Sequence, residues 1–537
     1  MSSNLVRGTF ILTLGTFISK FLGLFYVIPF TMIVGEYGTA LYNYGYIPYT
    51  IILSVATAGF PLAVSKFVAK YNAMEEYAIG RKLFKSGLLV MMVTGVISFL
   101  LLYFLAPSLA DIVIQNEDLR SDPKDVTSVI RAVSFALIII PFMSLVRGFF
   151  QGNQSMGPSA VSIVVEQIVR IGFLLAGAFL VIKVFNGEIV DGVKIATFAA
   201  FVGGLGSLFI LGWYWVKRKP YLDEQLKNNR GQIQVSYKDI YKEVVIYAVP
   251  FIILAIANPM YQFVDQLTFN TAMADIGKAE GAEIAFSILS FQTFKLIVIP
   301  LALANAFSLT LVPAITQSFF EKNKRVLTHQ LNQAFQVLLY LTVPATIGLM
   351  ILAEPMYTLF YGYNGLGTNV LMMYAPVTIL FALFGVTAAI LQGVNQQKIT
   401  ILSVLVGLLV KLVLNVPMIH MFETYGAVYA TAIGYLVSNI INLIAIKVSL
   451  KYHYRFVFRR TLFILILNAV MAIVVWLSYN LLNMFVSSET FIGSLIIVGI
   501  CGLLGGFVYF YIGIKTKLAI FLLGSKVEKM AKKLRLI

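Results

Sequence analysis

The residues of this chain best suited to chemistry are charged side chains inside long apolar runs. They are six cations and two acids: Lys20, Lys66, Arg147, Glu166, Arg170, Asp265, Lys295 and Lys411. If these runs cross a membrane, each charge costs at least about 2.5 kcal/mol near the bilayer centre and should face protein or a water-filled cavity. A cationic surplus in a cavity suits a phosphate or pyrophosphate, which arginine grips with two parallel hydrogen bonds and lysine as a point charge. A carrier of cationic drugs should show the opposite bias.

Lys20 and Lys295 are the strongest candidates for binding such an anion. Lys20 lies about twelve residues into the first apolar run, beside Ser19, and Lys295 lies about eleven residues into the eighth, five before Pro300. A lysine at that depth is far from the headgroups to which long cationic side chains normally extend. We therefore interpret both as substrate-binding residues.

The other membrane charges also have structural interpretations that the sequence leaves open. Lys66 and Arg147 lie near enough to the ends of their runs to extend toward cytoplasmic headgroups. Glu166 and Arg170 are spaced i and i+4, which allows an ion pair on one helix surface, while Arg170 is also placed to donate to substrate. Asp265 is either a hydrogen-bond centre or a site for a coupling ion, Na⁺ or H⁺, with amides nearby at Gln262, Gln266 and Asn270.

The composition indicates which elements position these charges. Hydrophobic residues make up 59% of the 537 residues and charged residues 12%, against about a quarter in soluble domains. Apolar runs such as 86–110, 462–486 and 491–514 reach the roughly 20 residues that cross a bilayer as a helix. The sequence predicts an all-α polytopic membrane protein with fourteen spans: 8–34, 41–69, 84–107, 130–151, 158–182, 193–216, 244–273, 284–318, 332–352, 368–392, 399–420, 425–446, 461–484 and 490–514.

The placement of positive charge predicts the orientation of the chain. With a cytoplasmic N-terminus, the cytoplasmic segments hold about 28 of the 40 lysines and arginines, and the outer loops about six. This is the positive-inside rule, and it predicts that both termini are cytoplasmic. It also explains the net charge of +16 without nucleic acid, because the basic tail 526–535 would lie beside anionic membrane lipids.

Several other classes of function lack their usual sequence signals. The chain has no phosphate-binding P-loop, no large loop domain and no histidine cluster, so we predict no catalytic residue and no enzyme. Its single cysteine, Cys501, excludes a disulfide within the chain and a thiolate metal site. The first apolar run is too long for a signal peptide and lacks a small-residue cleavage site, so it should be retained.

A weak internal repeat predicts two similar halves. A shift of 241 residues places Gln151-Gly152 on Gln392-Gly393, Ser162 on Ser403, and Arg170 on Lys411. Six spans in each half would run in the same direction, related by an axis along the membrane normal. The predicted organisation is an N-terminal lobe 1–216, a cytoplasmic linker 217–243, a C-terminal lobe 244–450, two further spans within 451–514, and a basic tail 515–537.

The chain resembles a family of known transporters in three separate stretches. These are Arg7-Gly8-Thr9-Phe10 with Ser19-Lys20-Phe21-Leu22-Gly23; Arg147 to Asn153 with Val165 to Arg170; and Lys295 to Pro300 with Leu311-Val312-Pro313. They are similar to MurJ-type lipid II flippases of the Gram-positive form, which belong to the multidrug/oligosaccharidyl-lipid/polysaccharide exporter superfamily. The resemblance covers almost the whole chain.

The resemblance implies a fold and a site. It implies two six-helix lobes forming a V around a central cavity, with the last two helices making a groove for a lipid tail. Basic residues on the first and eighth helices contact pyrophosphate in that family, and they match Lys20, after Ser19, and Lys295. Gram-negative members carry further arginines where this chain has Tyr26 and Ser54 or Val55. Arg147 and Arg170, with Glu166 beside them, are the candidates to supply that charge.

The predicted function is that of a lipid II flippase in the plasma membrane of a bacterium. It would move undecaprenyl-pyrophosphate-linked peptidoglycan precursor from the inner to the outer leaflet. The alternatives are a flippase for another lipid-linked oligosaccharide, of capsule, teichoic or O-unit type, and a drug or cation antiporter. No cofactor or metal is predicted; the membrane potential or a coupling ion would supply the energy. The predicted partners are the lipid-linked pyrophosphate, anionic lipids and cell-wall synthesis proteins.

Overall fold

The computed structural model describes residues 3–115, 119–233, 235–523, Glu528 and Lys532. In this part of the chain every regular element is helical, which confirms the predicted all-α class. Thirteen segments are long and apolar enough to cross a membrane, and the shorter apolar helix Ile11–Phe25 adds a fourteenth. Most of the predicted basic tail 526–535, and the side chains of Arg7 and Pro313, lie outside the described residues.

The chain forms two compact units, Met1–Ser287 and Ile288–Ile537. The division falls inside the predicted eighth span, well after the sequence-based linker 217–243, so the packing unit also contains the seventh span. The lobe boundaries drawn from the repeat stay a prediction.

The first unit contains ten α-helices in its described part. They are α1 (Ser3–Phe25), α2 (Val27–Thr57), α3 (Phe60–Ala73), α4 (Tyr77–Val113), α5 (Pro123–Ser134), α6 (Ala136–Gly152), α7 (Met156–Phe179), α8 (Ile189–Lys227), α9 (Tyr237–Asp275) and α10 (Ala279–Ser287). Helices α7 and α8 pack along each other, α1 lies on α7, and α9 lies on α2. Polar residues begin several helices: Asp122 accepts from the Lys124 N–H, and Ser236 from the Lys238 N–H.

The second unit also contains ten α-helices among its described residues. They are α11 (Phe294–Phe320), α12 (Lys324–Ile351), α13 (Ala353–Tyr361), α14 (Gly365–Tyr374), α15 (Val377–Gly393), α16 (Gln397–Phe422), α17 (Thr424–Leu450), α18 (Arg455–Asn483), α19 (Phe491–Lys515) and α20 (Leu518–Leu523). Helices α16 and α17 pack along each other, and α18 packs on both α12 and α19. The Tyr509 hydroxyl donates to the Tyr340 carbonyl at 2.9 Å and so ties α19 to α12.

Several predicted spans are interrupted by helix breaks, and one further break lies just after a predicted span. Gly35 adopts φ +71°, a conformation open to glycine, and interrupts α2 one residue after the predicted end of the first span. The fourth span is divided at Phe135 into α5 and α6. A π-helical turn, Ile288–Thr293, separates α10 from α11 within the eighth span. Such turns often occur at functional sites because they rotate the side chains that follow.

Helix boundaries support the proposed duplication. Adding 241 to the bounds of α6 (136 and 152) gives 377 and 393, which are the bounds of α15. The same shift moves the first residue of α7, Met156, onto Gln397, where α16 begins, and moves the break at Phe135 onto Pro376. Chance similarity between apolar sequences would not align helix ends and breaks in this way.

Candidate functional site

Arg147 lies at the centre of a polar cluster that joins three membrane helices. Its guanidinium is 2.7 Å from the Glu166 carboxylate of α7, and it donates to Ser162 Oγ at 2.8 Å and to Ser207 Oγ of α8 at 2.7 Å. The side chains of Arg147 and Glu166 are 15% and 21% exposed. An ion pair with this much hydrogen bonding can satisfy two charges in the membrane.

The partner of Glu166 differs from the one that sequence spacing suggested. Glu166 pairs with Arg147 on α6, not with Arg170 one turn along α7. The 241-residue repeat supports the view that the two charges depend on each other. It matches Arg147 to Ala388 and Glu166 to Gly407, so neither charge is present in the second half. Acid and base are therefore both present in one half and both replaced by small residues in the other.

Arg170 lies among tyrosines of α2. Its guanidinium donates to the Tyr42 hydroxyl at 3.2 Å and lies 5.3 Å from the ring centroid of Tyr46. The rings of Tyr42 and Tyr46 are stacked at 5.3 Å, and Tyr49 follows at 5.3 Å. Neutral hydroxyls and ring faces stabilise the cation without cancelling its charge, so Arg170 keeps a positive charge that an anion could use.

Glycine 203 makes room for Arg170 between α7 and α8. A Cβ added at Gly203 would lie 2.8 Å from the Arg170 Cβ and 2.8 Å from the Glu166 carbonyl oxygen. Real Cβ atoms essentially never come that close, so the two helices could not pack at this distance with a larger residue. The local sequence thus places the backbones of α7 and α8 in close contact beside both charged residues.

Lys20 has an exposed side chain on α1, and Ser19 beside it is half-buried. Two glycines hold α1 against α7: a Cβ at Gly15 would lie 3.0 Å from the Ala160 Cβ, and one at Gly23 would lie 3.0 Å from Gln167 Nε2. The close packing positions the helix that carries Lys20. An exposed ammonium this far along a membrane helix must face water or an anion.

Lys295 follows the π-helical turn Ile288–Thr293 and is half-buried near the start of α11. Its Nζ lies 5.7 Å from the Phe291 ring centroid. The turn is anchored to α13, because the Tyr361 hydroxyl donates to the Gln292 carbonyl at 3.0 Å and the Tyr357 hydroxyl donates to the Gln292 side chain. The direction in which Lys295 points therefore depends on this anchored irregularity.

Asp265 is 4% exposed and lies in a polar stripe between α9 and α2. Its neighbour Gln266 donates to the Tyr44 carbonyl at 2.9 Å, and Asn270 donates to the Tyr44 hydroxyl at 2.7 Å. A buried acid among hydrogen-bonded amides fits both interpretations of Asp265, the hydrogen-bond centre and the coupling-ion site. No group of three or more histidine, cysteine or acidic side chains that could hold a metal occurs among the described residues.

Lys66 and Lys411 differ in their surroundings. The exposed Lys66 places its Nζ 3.8 Å from the Tyr247 ring centroid. Lys411, the repeat equivalent of Arg170, is 0% exposed and donates to Thr431 Oγ1 at 2.7 Å and to the Ala427 carbonyl at 3.1 Å. Hydrogen bonds to α17 therefore account for the position of Lys411.

Several residues that shape the first unit were not predicted from the sequence. The helical spacing of Tyr42, Tyr46 and Tyr49 was visible in the sequence, but their place beside Arg170 was not, and Ser207 carries no signal in an apolar run. Two further acids are buried: Glu76 accepts from the Gln232 N–H at 2.6 Å, and Glu283 accepts from the Arg120 N–H at 2.8 Å. Each ties two distant segments of the first unit together.

Comparison with known proteins decides the family. The model of the family described as "Polysaccharide biosynthesis protein" matches residues 5–319. The chain is 46% identical to the lipid II flippase MurJ of Bacillus subtilis (strain 168), over 99% of each chain. This chain belongs to the MurJ family. Members of this family are transporters, which confirms the prediction that the chain is not an enzyme.

Solved structures show that the MurJ fold is shared. A structure described as "Lipid II flippase MurJ, inward closed conformation" matches with a TM-score of 0.65 at 15% identity, covering 93% of this chain and 99% of that one. An inward-facing multidrug resistance MATE family transporter of the MOP superfamily matches with a TM-score of 0.62 at 15% identity, covering 80% and 94%. At this identity the two matches show a shared fold, in agreement with the predicted all-α membrane architecture.

Proposed function

We propose that this protein is a lipid II flippase that moves undecaprenyl-pyrophosphate-linked peptidoglycan precursor from the cytoplasmic to the outer leaflet by alternating access. The observation that carries the proposal is 46% identity to the Bacillus subtilis flippase over essentially the full length of both chains. The match spans 99% of this chain and therefore covers the stretches around Lys20, Arg147 to Arg170, and Lys295 on which the resemblance was based.

The pyrophosphate is held by Lys20 with Ser19, by Lys295, and by Arg170 in this proposal. The exposure of Lys20 supports its role, and so does the charge that Arg170 retains among tyrosines. Arg147 has a different role because Glu166 neutralises it: the pair positions α6, α7 and α8 around Arg170. Charge-assisted hydrogen bonds to phosphate oxygens are about twice as strong as neutral ones, so a few cations suffice to select a pyrophosphate.

Transport requires no cofactor in this mechanism. An inside-negative potential acts on a positive cavity with about 2.3 kcal/mol per charge per 100 mV, which can return the empty carrier to its inward-facing state. A coupled Na⁺ or H⁺ is the alternative, and Asp265 is then the first candidate to bind it because it is a buried acid in a polar stripe.

The protein is a multi-pass membrane protein, and we place it in the bacterial plasma membrane with both termini in the cytoplasm. The positive-inside distribution supports this orientation. Anionic phospholipids and cell-wall synthesis proteins are the proposed partners, because a precursor delivered to the outer leaflet must be consumed by polymerising enzymes.

A flippase for another lipid-linked oligosaccharide is the second candidate. The matched family is described by polysaccharide biosynthesis in general, which is broader than peptidoglycan and so supports this second candidate. Capsule and teichoic precursors share the polyprenyl phosphate chemistry that the cations would bind, and they differ in the sugar.

Depletion of the protein in its host tests the two candidates. Lipid-linked intermediates are extracted after depletion, and their exposure on the outer leaflet is measured with an impermeant enzyme that cleaves only exposed headgroups. We expect lipid II to accumulate in the cytoplasmic leaflet, where the enzyme cannot cleave it, and re-expression of the protein to reverse this accumulation. Normal exposure of lipid II with accumulation of another lipid-linked glycan would contradict the first candidate and support the second.

A further inference from the structure

A cleft of about 510 Å³ lies between α4, α6 and α8 of the first unit, apart from the charged cluster around Arg147. Its walls are mainly apolar and aromatic, and three cations lie at one end. The lining residues are Arg81, Phe84, Lys85, Leu88, Phe142, Val146, Leu208, Leu211, Gly212, Trp215 and Lys219. None of them is among the residues proposed above to bind the transported lipid.

The lining residues are ordered by depth on each helix. On α8, Lys219 lies at the mouth of the cleft, and Trp215, Leu211 and Leu208 lie progressively deeper. The eleven residues from Lys219 to Leu208, at 1.5 Å each, span about 16 Å. That length is close to half of the roughly 30 Å hydrocarbon thickness, which is one leaflet. On α4, Lys85 lies about one helical turn nearer the mouth of the cleft than Leu88 does. The cleft thus has the polarity of a phospholipid, with cations at the headgroup and apolar walls along the acyl chain.

The cations at the mouth are not equivalent. Arg81 is already engaged: it lies 2.6 Å from the Asp223 carboxylate, and its guanidinium lies 5.2 Å from the Trp215 ring centroid. Lys85 and Lys219 are exposed, and neither forms an ion pair with a described residue. Because Arg81 neutralises Asp223, the two lysines leave a net positive charge at the mouth, which complements an anionic phosphate.

The wall behind the lysines is built of stacked aromatic rings. The Phe84 ring lies 4.1 Å from the Phe149 ring and 5.1 Å from the Trp215 ring, measured between centroids. Gly212 leaves the opposite side open, since a Cβ added there would meet nothing within 4 Å. A preformed apolar slot of this kind can hold an acyl chain at little cost in protein ordering.

We propose that this cleft binds an anionic glycerophospholipid of the cytoplasmic leaflet, with the phosphate at Lys85 and Lys219 and an acyl chain along Phe84, Leu88 and Leu211. Basic pockets between membrane helices on the cytoplasmic side are the usual setting for anionic headgroups. The site is separate from the proposed transport residues, so its test does not depend on flipping.

Tryptophan fluorescence can test the site, because Trp215 lines the cleft and the chain has three tryptophans. A Trp215-only protein (Trp213→Phe, Trp476→Phe) is placed in phosphatidylcholine nanodiscs with a small fraction of brominated phosphatidylglycerol or brominated phosphatidylcholine. We expect stronger quenching by phosphatidylglycerol at equal fractions. A Trp213-only protein is the matched control: Trp213 lies on the same helix, is 54% exposed and has Lys217 Nζ 5.3 Å from its ring centroid, so any headgroup preference it shows should not change when Lys85 and Lys219 are replaced.

Two variants separate the headgroup from the acyl chain. Lys85→Gln with Lys219→Gln should lower the preference for phosphatidylglycerol by about fivefold for each lysine and leave folding intact, because both side chains are exposed. Gly212→Leu should reduce Trp215 quenching by both lipids. Gly172→Leu is its control, as an exposed glycine of α7 that also has no neighbour within 4 Å of a Cβ.

Three results would overturn the proposal. Equal quenching of the Trp215-only protein by the two lipids would show that the cleft does not select an anion. An unchanged preference in the double lysine variant would remove the assigned headgroup contacts. Displacement of brominated phosphatidylglycerol by a trace of undecaprenyl pyrophosphate would show that the occupant is a polyprenyl pyrophosphate instead of a membrane phospholipid.

Discussion

Arg147 and Glu166 form a 2.7 Å ion pair between two membrane helices. Removing one partner leaves the other charged and largely buried, which in proteins costs about 3 to 5 kcal/mol. We therefore expect Arg147→Ala and Glu166→Ala each to destabilise the protein strongly. The double variant has neither charge, as at the matching positions Ala388 and Gly407 of the second half. It should therefore recover much of the stability that each single variant loses.

Thermal unfolding of the purified protein in detergent measures this coupling as a double-mutant cycle. Exposed Lys183 provides a control, because Lys183→Ala should change the unfolding temperature little. Additive losses in the double variant would mean that the two charges act independently.

Lys20 and Lys295 should be needed for transport but not for folding. Replacing either with Gln removes charge-assisted hydrogen bonds worth about 1.5 to 3 kcal/mol, so transport should fall about 10- to 100-fold. Arg should substitute in part because it keeps the charge, whereas Glu should abolish transport by repelling the diphosphate.

Complementation of a flippase-depleted strain, with membrane protein levels measured in parallel, checks these lysine variants. Lys183→Gln is the matched control, an exposed lysine at the far end of the helix that carries Arg170. Full complementation by both Gln variants at normal expression would exclude the anionic-site mechanism.

Gly203 should resist enlargement more than Gly172 of the same helix pair does. Gly203→Val places its Cβ 2.8 Å from the Arg170 Cβ, which forces α7 and α8 apart and should cost about 1 to 3 kcal/mol. Gly172→Val makes the same chemical change where a Cβ has no neighbour within 4 Å. Unfolding temperatures of the two variants decide the matter, and equal values would contradict the close packing of α7 and α8.

Glu76 should hold the linker before α9 against the segment that begins α4. Its carboxylate is 2% exposed and accepts from the backbone N–H groups of Gly231, Gln232 and Ile233 at 3.2, 2.6 and 3.1 Å. In Glu76→Gln the amide NH₂ competes with these donors, so residues 231–233 should exchange their amide hydrogens about 10- to 100-fold faster. Hydrogen exchange with mass spectrometry measures this directly.

Glu75→Gln is the control for this exchange experiment. The Glu75 carboxylate lies 2.6 Å from Arg230, but both side chains are about half exposed, so the pair should contribute little. Exchange that rises equally in both variants would mean that the linker is held by something other than the buried carboxylate.

The predicted orientation can be measured by cysteine labelling in intact cells. Cys501 is 0% exposed and gives little background. A cysteine at exposed Asn228 should react with a permeant thiol reagent only, because the basic linker resists translocation. A cysteine at exposed Glu489, in the predicted outer loop between the last two spans, should react with an impermeant reagent. The reverse pattern would refute the orientation.

The sequence by itself determined the class and most of the span boundaries. Apolar runs of about 20 residues must become helices in lipid, because every backbone group has to be satisfied within the segment. The predicted first span ends one residue before the break at Gly35, whereas the breaks at Phe135 and Pro376, after which α6 and α15 begin, were not predicted. The membrane charges were visible because lipid makes them costly.

Only the tertiary structure decided which of these charges are neutralised. Arg147 meets Glu166 and Ser207, which lie 19 and 60 residues away, whereas Arg170 meets Tyr42, which lies 128 residues away. These partners depend on how each helix is rotated about its axis and how closely glycines such as Gly203 let two helices approach. In a chain whose lipid-facing and protein-facing surfaces are both apolar, sequence periodicity carries little information about that rotation.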